Sequence, residues 1–268
     1  MKLTHDIVER FYQDIDASPV TKKEYRGELL RLLAFLNGRE LNSRAVQDYL
    51  HSLKERGLTD RTVSRVGFAI KRFFKIQGLP VHFEFPGFDI GPPSGTLREE
   101  DVAKLVAKAH NPLERAMVAL VYDSACRIVE AMGIDSQEDI EWERGVIRIR
   151  RKGRRQRQEE QALFPETLRL LQEYRDWAKI RKGPLFPYSY SSLRRYLLAL
   201  AARAGVTFPE RSIWHSLRHS RAVNLREKGV ALEDISDQLG HSSLSTTLKV
   251  YSRLSPEVLR SKLTPPPW

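Results

Sequence analysis

The 268-residue chain has one cysteine, Cys126, no internal repeat, and no low-complexity tract beyond Pro265-Pro266-Pro267. A single cysteine excludes an intramolecular disulfide and any metal site built on clustered thiolates. It suits a reducing compartment, and a cytoplasmic location is expected. No run approaches the ~20 apolar residues of a membrane span, and Met1-Lys2-Leu3-Thr4-His5-Asp6 lacks the apolar core of a signal peptide. Acidic residues are also in short supply, 34 against 45 Lys+Arg, for a formal charge of +11 and a pI near 9.8. Such a balance points to a polyanionic partner. Nucleic acid comes first; an anionic membrane surface comes second and is weakened by the missing anchor. Arginine outnumbers lysine 31 to 14, which suits planar, bidentate contacts to phosphate, although a codon-biased or heat-adapted surface would show the same excess. Apolar residues make up 41% of the chain, enough for real cores, and the length fits two domains of ordinary size.

Residues 4–78 read as four helices without a strand pattern: Asp6 to Ile15, a second after Ser18-Pro19, a third from Asn42-Ser43 to Gly57, and a fourth from about Thr59 to Gln77. Val46, Tyr49, Leu50 and Leu53 in the third, and Val63, Val66, Ile70, Phe73 and Phe74 in the fourth, recur at helical spacing and form candidate core faces. The polar faces carry Lys22, Lys23, Arg26, Arg61, Arg65, Lys71 and Arg72, candidates for phosphate contact that an ordinary solvated helix face would also explain. Residues 1–96 hold 15 basic and 12 acidic side chains, so charge alone does not make this half a DNA binder. Residues 81–96, with three prolines and three glycines, read as a linker between domains at 1–80 and 97–268; the linker's apolar side chains predict that it lies against a surface.

The second domain opens with an expected capping box, Thr96-Leu97-Arg98-Glu99, followed by helices at Glu99–Ala109 and Leu113 to about Asp123. Gly145 to Arg150 alternates as a strand would. A turn follows at 151–155, then a less regular strand to about Leu163. Helices are expected from Pro165 and at 189–204, 215–228, 232–239 and 255–263. This domain carries 30 basic against 22 acidic residues, most of the excess charge.

Four passages here could carry chemistry. Arg127 with Glu130 follows a buried-looking helix; an isolated Arg-x-x-Glu is otherwise a common surface pair. The window 144–157 holds eight basic and no acidic residues, and Arg151, Arg154 and Arg155 beside Lys152 read as a phosphate-binding hairpin. His215 and Arg218 share a helix face, with His219 beside them. Leu239-Gly240-His241 then leads to Tyr251. Arginines and imidazoles can hold a phosphate, and a tyrosine can attack it; zinc on the three histidines is disfavoured because two arginines and a lysine would crowd any cation.

His215-Ser216-Leu217-Arg218-His219, followed by Leu239-Gly240-His241-Ser242-Ser243-Leu244-Ser245-Thr246-Thr247 and Tyr251-Ser252-Arg253-Leu254-Ser255-Pro256, resembles the C-terminal signature of tyrosine recombinases, the phage-integrase and Xer family. Ser124-Ala125-Cys126-Arg127-Ile128-Val129-Glu130 resembles the family's first arginine box, usually Thr-Gly-Leu-Arg-x-x-Glu, and Lys152-Gly153 with Arg157 resembles its β-hairpin lysine motif. The text from Ser18-Pro19 through Tyr25 to Leu36 resembles the start of the family's core-binding domain. The resemblance implies a mainly α fold: a helical SAM-like core-binding domain lying across one face of the duplex, and a mixed α/β catalytic domain, mostly helical with a small sheet. It implies Tyr251 as nucleophile and Lys152 as general acid. Arg127, His215, Arg218 and His241 become phosphate ligands, Glu130 the buried organiser of Arg127, and His219 a residue that orients the site. It implies no cofactor and no metal. The partners it implies are double-stranded DNA and a homo-tetramer on that DNA, linked by exchange of the C-terminal helix, with room for an accessory protein. The layout is that of a short, Xer-like member without an added arm-binding domain. Two departures bear on this. The strand after the hairpin is polar, and His241 to Tyr251 spans ten positions where the family usually has nine. One extra helical residue turns a side chain by about 100°, so a bulge or loop before Val250, or a different presentation of the tyrosine, is expected. A type IB topoisomerase-like strand-passing enzyme and a catalytically decayed DNA-binding factor are the alternatives.

Overall fold

A computed structural model describes residues 1–87, 96–151, 158–209, 212–240 and 244–251, with the backbone alone at 246 and 249. The chain divides into two compact units, Met1–Asp89 and Ile90–Trp268. In the first, α1 (His5–Asp14), α2 (Pro19–Leu36), α3 (Ser43–Glu55) and α4 (Asp60–Ile76) close on an apolar core. Thr4, Ser18, Asn42 and Thr59 cap them, each side-chain oxygen accepting a first-turn N–H that would otherwise have no partner. Pro19 adds a preset φ at the start of α2. Phe11 and Phe73 meet edge-on at 5.2 Å in the centre.

Residues 81–87 form no helix and lie on α3 and α4. Ser43 and Gln47 accept hydrogen bonds from the amides of His82 and Glu84, Phe83 packs on Phe74, and Phe85 on Phe68. Phe85 comes so close to Gly67 that a Cβ there would fall inside its ring; only glycine lets the strap seat.

In the second unit α5 (Glu99–Ala107), α6 (Pro112–Ser124), α8 (Pro165–Trp177) and α9 (Tyr190–Ala204) surround one large core. Along α6, Leu113, Ala116, Met117, Val118, Leu120 and Val121 are all buried, so it is the central helix. The expected capping box does not form: Arg98 is the N-cap and makes no side-chain cap bond. Instead the Leu97 amide donates to Ser220 Oγ (2.7 Å) and its carbonyl accepts from Asn224 Nδ2, so a tertiary contact replaces the local one.

The sheet is antiparallel in the order β1 (Ile140–Glu141), β2 (Val146–Arg150), β3 (Gln158–Ala162). The irregular strand expected after the hairpin is regular. Five consecutive pairs run from Val146↔Ala162 to Arg150↔Gln158 without a bulge. Its polar side chains find partners: Glu160 pairs with Arg148 (3.2 Å), Glu159 with Arg151 (2.9 Å), and Gln161 donates to the Gln238 carbonyl (2.6 Å). Helices α7 (Ile128–Ala131), α10 (Ile213–Glu227), α11 (Leu232–Leu239) and α12 (Leu244–Tyr251) complete the described unit. Helix α12 is continuous through Val250, so no bulge precedes Tyr251 within it. The helix expected at 255–263 lies outside the described residues.

Candidate active site

Helix α6 ends at Ser124, whose hydroxyl donates to the Leu120 carbonyl, and Ala125 turns the chain in the left-handed region at φ 49°. Glycine would take that conformation freely; alanine pays about 1 kcal/mol for it. The turn delivers Arg127 to the N-cap of α7. Glu130, one turn on, accepts from both the Arg127 amide (2.8 Å) and its guanidinium Nη1 (2.7 Å). Burial alone would raise the Glu130 pKa; the Arg127 hydrogen bonds and the charges of Arg151 and Arg127 outweigh it and hold the carboxyl below its usual value. Arg127 is thus aimed by a buried anion, with a third of its side chain open to solvent.

Helix α10 carries His215, Arg218 and His219 at positions i, i+3 and i+4. Arg218, 4% exposed, donates to the carbonyls of Ala125 (2.6 Å) and Leu239 (2.7 Å). It thereby joins the Arg127 turn to the end of α11. Among the described residues it forms no ion pair, and burial together with neighbouring Arg127 pulls its pKa down to about 10. His215 keeps exposed surface, its Nδ1 2.7 Å from Ser212 Oγ; partial loss of hydration at the ring, then the charges of Arg218 and Arg127, depress its pKa. His219 is depressed further, to about 4, by burial first and then by His215 and Arg218. A neutral imidazole can accept at Nδ1, and the Tyr251 hydroxyl is hydrogen-bonded there. Tyr251 itself is 3% exposed and packs with Ala222, Leu232, Ile235 and Leu239.

The structure therefore brings Arg127, Glu130, His215, Arg218, His219 and Tyr251 into one cluster. Lys152, Arg154, Arg155 and His241 lie outside the described residues. Arg151, expected as an open DNA contact, is instead 5% exposed. Its guanidinium donates to Glu130 Oε2, Glu159 Oε2 and the Gln238 carbonyl, each at 2.9 Å. The signal was in the alternation: Ile147, Ile149 and Arg151 are all buried, one phase of the strand carried one step past its end. Gln238 has no such signal; α11 brings its carbonyl to Arg151 and Gln161, while its amide donates to the Asp123 carbonyl (2.6 Å).

Of the basic residues in the first unit, Lys23, Arg61, Arg65 and Lys71 are exposed, and Lys22, Arg26 and Arg72 are half-buried. Arg26 pairs with Glu9 and Arg65 with Glu28, and Lys22 donates to the Gln13 carbonyl. No described helix is long and apolar enough to cross a membrane.

Residues 95–257 match the phage integrase family, and residues 8–77 match its N-terminal SAM-like domain. A tyrosine recombinase XerA from Thermococcus kodakarensis is 29% identical over 280 residues, covering 97% of this chain and 95% of that one. A tyrosine recombinase XerC from Oceanobacillus iheyensis is 30% identical over 94% of this chain and 92% of that protein. In fold the chain is similar to the XerH site-specific recombinase bound to its difH substrate (TM-score 0.69, 19% identity, 98% and 85% of the two chains). It is also similar to the Tn1549 transposon integrase in complex with transposon right end DNA (TM-score 0.74, 16% identity, 96% and 97%).

Proposed function

The chain belongs to the phage integrase family, and on that premise we propose that it is a site-specific DNA recombinase that cuts and rejoins DNA through a 3′-phosphotyrosyl intermediate. The observation that carries this reading is Arg218, a buried guanidinium with no described carboxylate partner, beside Arg127 and Tyr251. A buried cation without a counter-ion is costly. That guanidinium and Arg127, which Glu130 aims, converge beside a phenol and suit a phosphodiester and, still better, the charge that builds on its oxygens at the pentavalent stage.

The Tyr251 oxygen attacks the scissile phosphorus. The O–P bond to the 5′ oxygen breaks, and Lys152 supplies the proton that this oxygen takes. The phenol proton has an acceptor in neutral His219. Arg127, Arg218, His215 and His241 hold the non-bridging oxygens. Reversal with a different 5′ hydroxyl rejoins the strand to a new partner, and four protomers on two sites, linked through their C-terminal helices, complete the exchange. The basic faces of the first unit (Lys22, Lys23, Arg26, Arg61, Arg65, Lys71, Arg72) and the hairpin arginines Arg154 and Arg155 contact phosphates. The two units correspond to a core-binding and a catalytic domain joined near residues 81–96. The relatives that are named recombinases support this reading, and the Tn1549 integrase's complex with transposon right end DNA supports DNA as the partner.

The test uses a duplex selected from a random-sequence pool by the full chain. It is nicked close to the mapped cleavage position, so that the short strand bearing the 5′ hydroxyl is lost. An SDS-stable protein–DNA adduct is expected, and Tyr251→Phe is expected to abolish it, a drop of at least about 10³-fold. An adduct that survives this substitution assigns the nucleophile elsewhere. Specific binding with no adduct selects the decayed DNA-binding factor, and relaxation of supercoils that lack the selected site selects the topoisomerase-like enzyme.

A further inference from the structure

We propose that Arg151 is a positioning residue for the strand-transfer site, a staple that sets Arg127 against the end of α11. The inference rests on the recombinase reading. Each of its three guanidinium nitrogens goes to a different element: Nη1 to Glu130 of α7, Nε to Glu159 of β3, and Nη2 to the carbonyl of Gln238 in α11. Glu130 is the carboxylate that aims Arg127. Gln238 is the penultimate residue of α11, and the next carbonyl, that of Leu239, accepts from Arg218. The negative end of α11 therefore sits between two buried arginines, and both phosphate-binding arginines are indexed to it.

The fit is tight. Gly240 ends α11 at φ 61°, and a Cβ there would fall inside the Arg151 side chain. The glycine is required twice, for its left-handed backbone and for the room Arg151 occupies. The polar β3 strand has the same explanation. Glu159 binds Arg151, and Gln161 shares the Gln238 carbonyl with it. Lysine would not substitute, because a point charge cannot satisfy three fixed directions. A misplacement of about 1 Å in a phosphate cradle costs on the order of 100-fold in rate, and that is the expected scale.

Four proteins test this against wild type: Arg151→Met, Arg151→Lys, Gly240→Ala and the double variant Arg151→Met with Gly240→Ala. The substrate is the selected, nicked duplex. Adduct formation by the wild-type chain, absent in Tyr251→Phe, establishes the underlying chemistry first; without it the recombinase reading falls, whatever Arg151 does. Given that adduct, both Arg151 variants are expected to bind the duplex within about threefold of wild type and to form adduct about 100-fold more slowly at saturating protein. The acid limb of Arg151→Met is expected to move to higher pH, because Glu130 there loses one of the two cations that keep it ionised. Gly240→Ala is expected to slow the reaction too, and by a smaller factor once Arg151 is gone, since the crowding is then relieved while the left-handed strain at 240 remains. Several outcomes overturn the proposal: wild-type rates in both Arg151 variants, parallel loss of affinity and rate, full multiplication of the Gly240 and Arg151 effects, or failure of both variants to melt cooperatively. The last would make Arg151 a requirement for folding instead.

Discussion

The two units solve opposite problems. The first buries aromatic and aliphatic side chains around Phe11 and Phe73 and keeps its charges on the surface, Glu28 being the one carboxylate it buries among the described residues. The second has a larger apolar core, yet at one edge it buries Glu130, Arg151 and Arg218 together. Ionised groups are costly to desolvate, and a fold can usually be stabilised better without them. Where they gather, the fold is holding charge in place for a purpose. The contrast teaches that the second unit spends stability on geometry at the tyrosine, while the first is built for stability and for a basic surface.

The contrast can be broken most sharply from the first unit. Phe73→Ala is expected to cost about 4 kcal/mol, read as lost hydrogen-exchange protection at α1 and α4 with α6 unchanged. If α6 loses protection equally, the units do not unfold separately. Next is Arg218→Met, expected to slow adduct formation about 10²- to 10³-fold without lowering the melting temperature, because it removes a buried cation and keeps an apolar stem. A fall of many degrees would mean that Arg218 serves the fold and not the chemistry.

A smaller effect comes from pH. His219 has a folded pKa near 4 against an ordinary value of 6.5, so the unfolded chain binds the extra proton first. Stability is therefore full above about 6.5 and falls as pH drops towards 4, by roughly 2 kcal/mol. Denaturant titrations at pH 7 and 4.5 should show that loss in wild type and a smaller one in His219→Gln; equal losses would show that the ring is neutral for another reason. The smallest effect is expected at the exposed lysines. Lys23→Ala and Lys71→Ala should each weaken duplex binding modestly and make the salt dependence shallower by about 0.9 in log–log slope. An unchanged slope removes that lysine from the DNA contacts.

Much of the fold was legible where local rules operate alone. Asn42 capping α3, Pro19 opening α2 and the span 232–239 of α11 lie where spacing and caps predict. The misses have tertiary causes. Ser220 takes the Leu97 amide from the expected capping box. Glu159 and Gln161 make a regular strand of a polar one because Arg151 and Gln238 receive them. The two-residue strand β1 is too short to leave an alternation and exists through its pairing with β2. Of the site residues, Arg127, His215, Arg218 and Tyr251 stand out in the sequence because their motif is distinctive. Arg151 is marked only by the strand phase it shares with Ile147 and Ile149, because a basic hairpin otherwise looks alike whether its arginines face solvent or core.

The residue types, the helical spacings and the family motif by themselves determined a mainly helical, basic, tyrosine-bearing chain. They could do so because caps, periodicity and charge act over a few residues. Only the tertiary structure decided that Tyr251 is buried with its hydroxyl on His219, and that Arg151 turns inward to bind α7, β3 and α11 at once. Those choices depend on residues up to 87 positions apart in sequence, and on the cost of burying charge, which can be weighed only once the partners are in place.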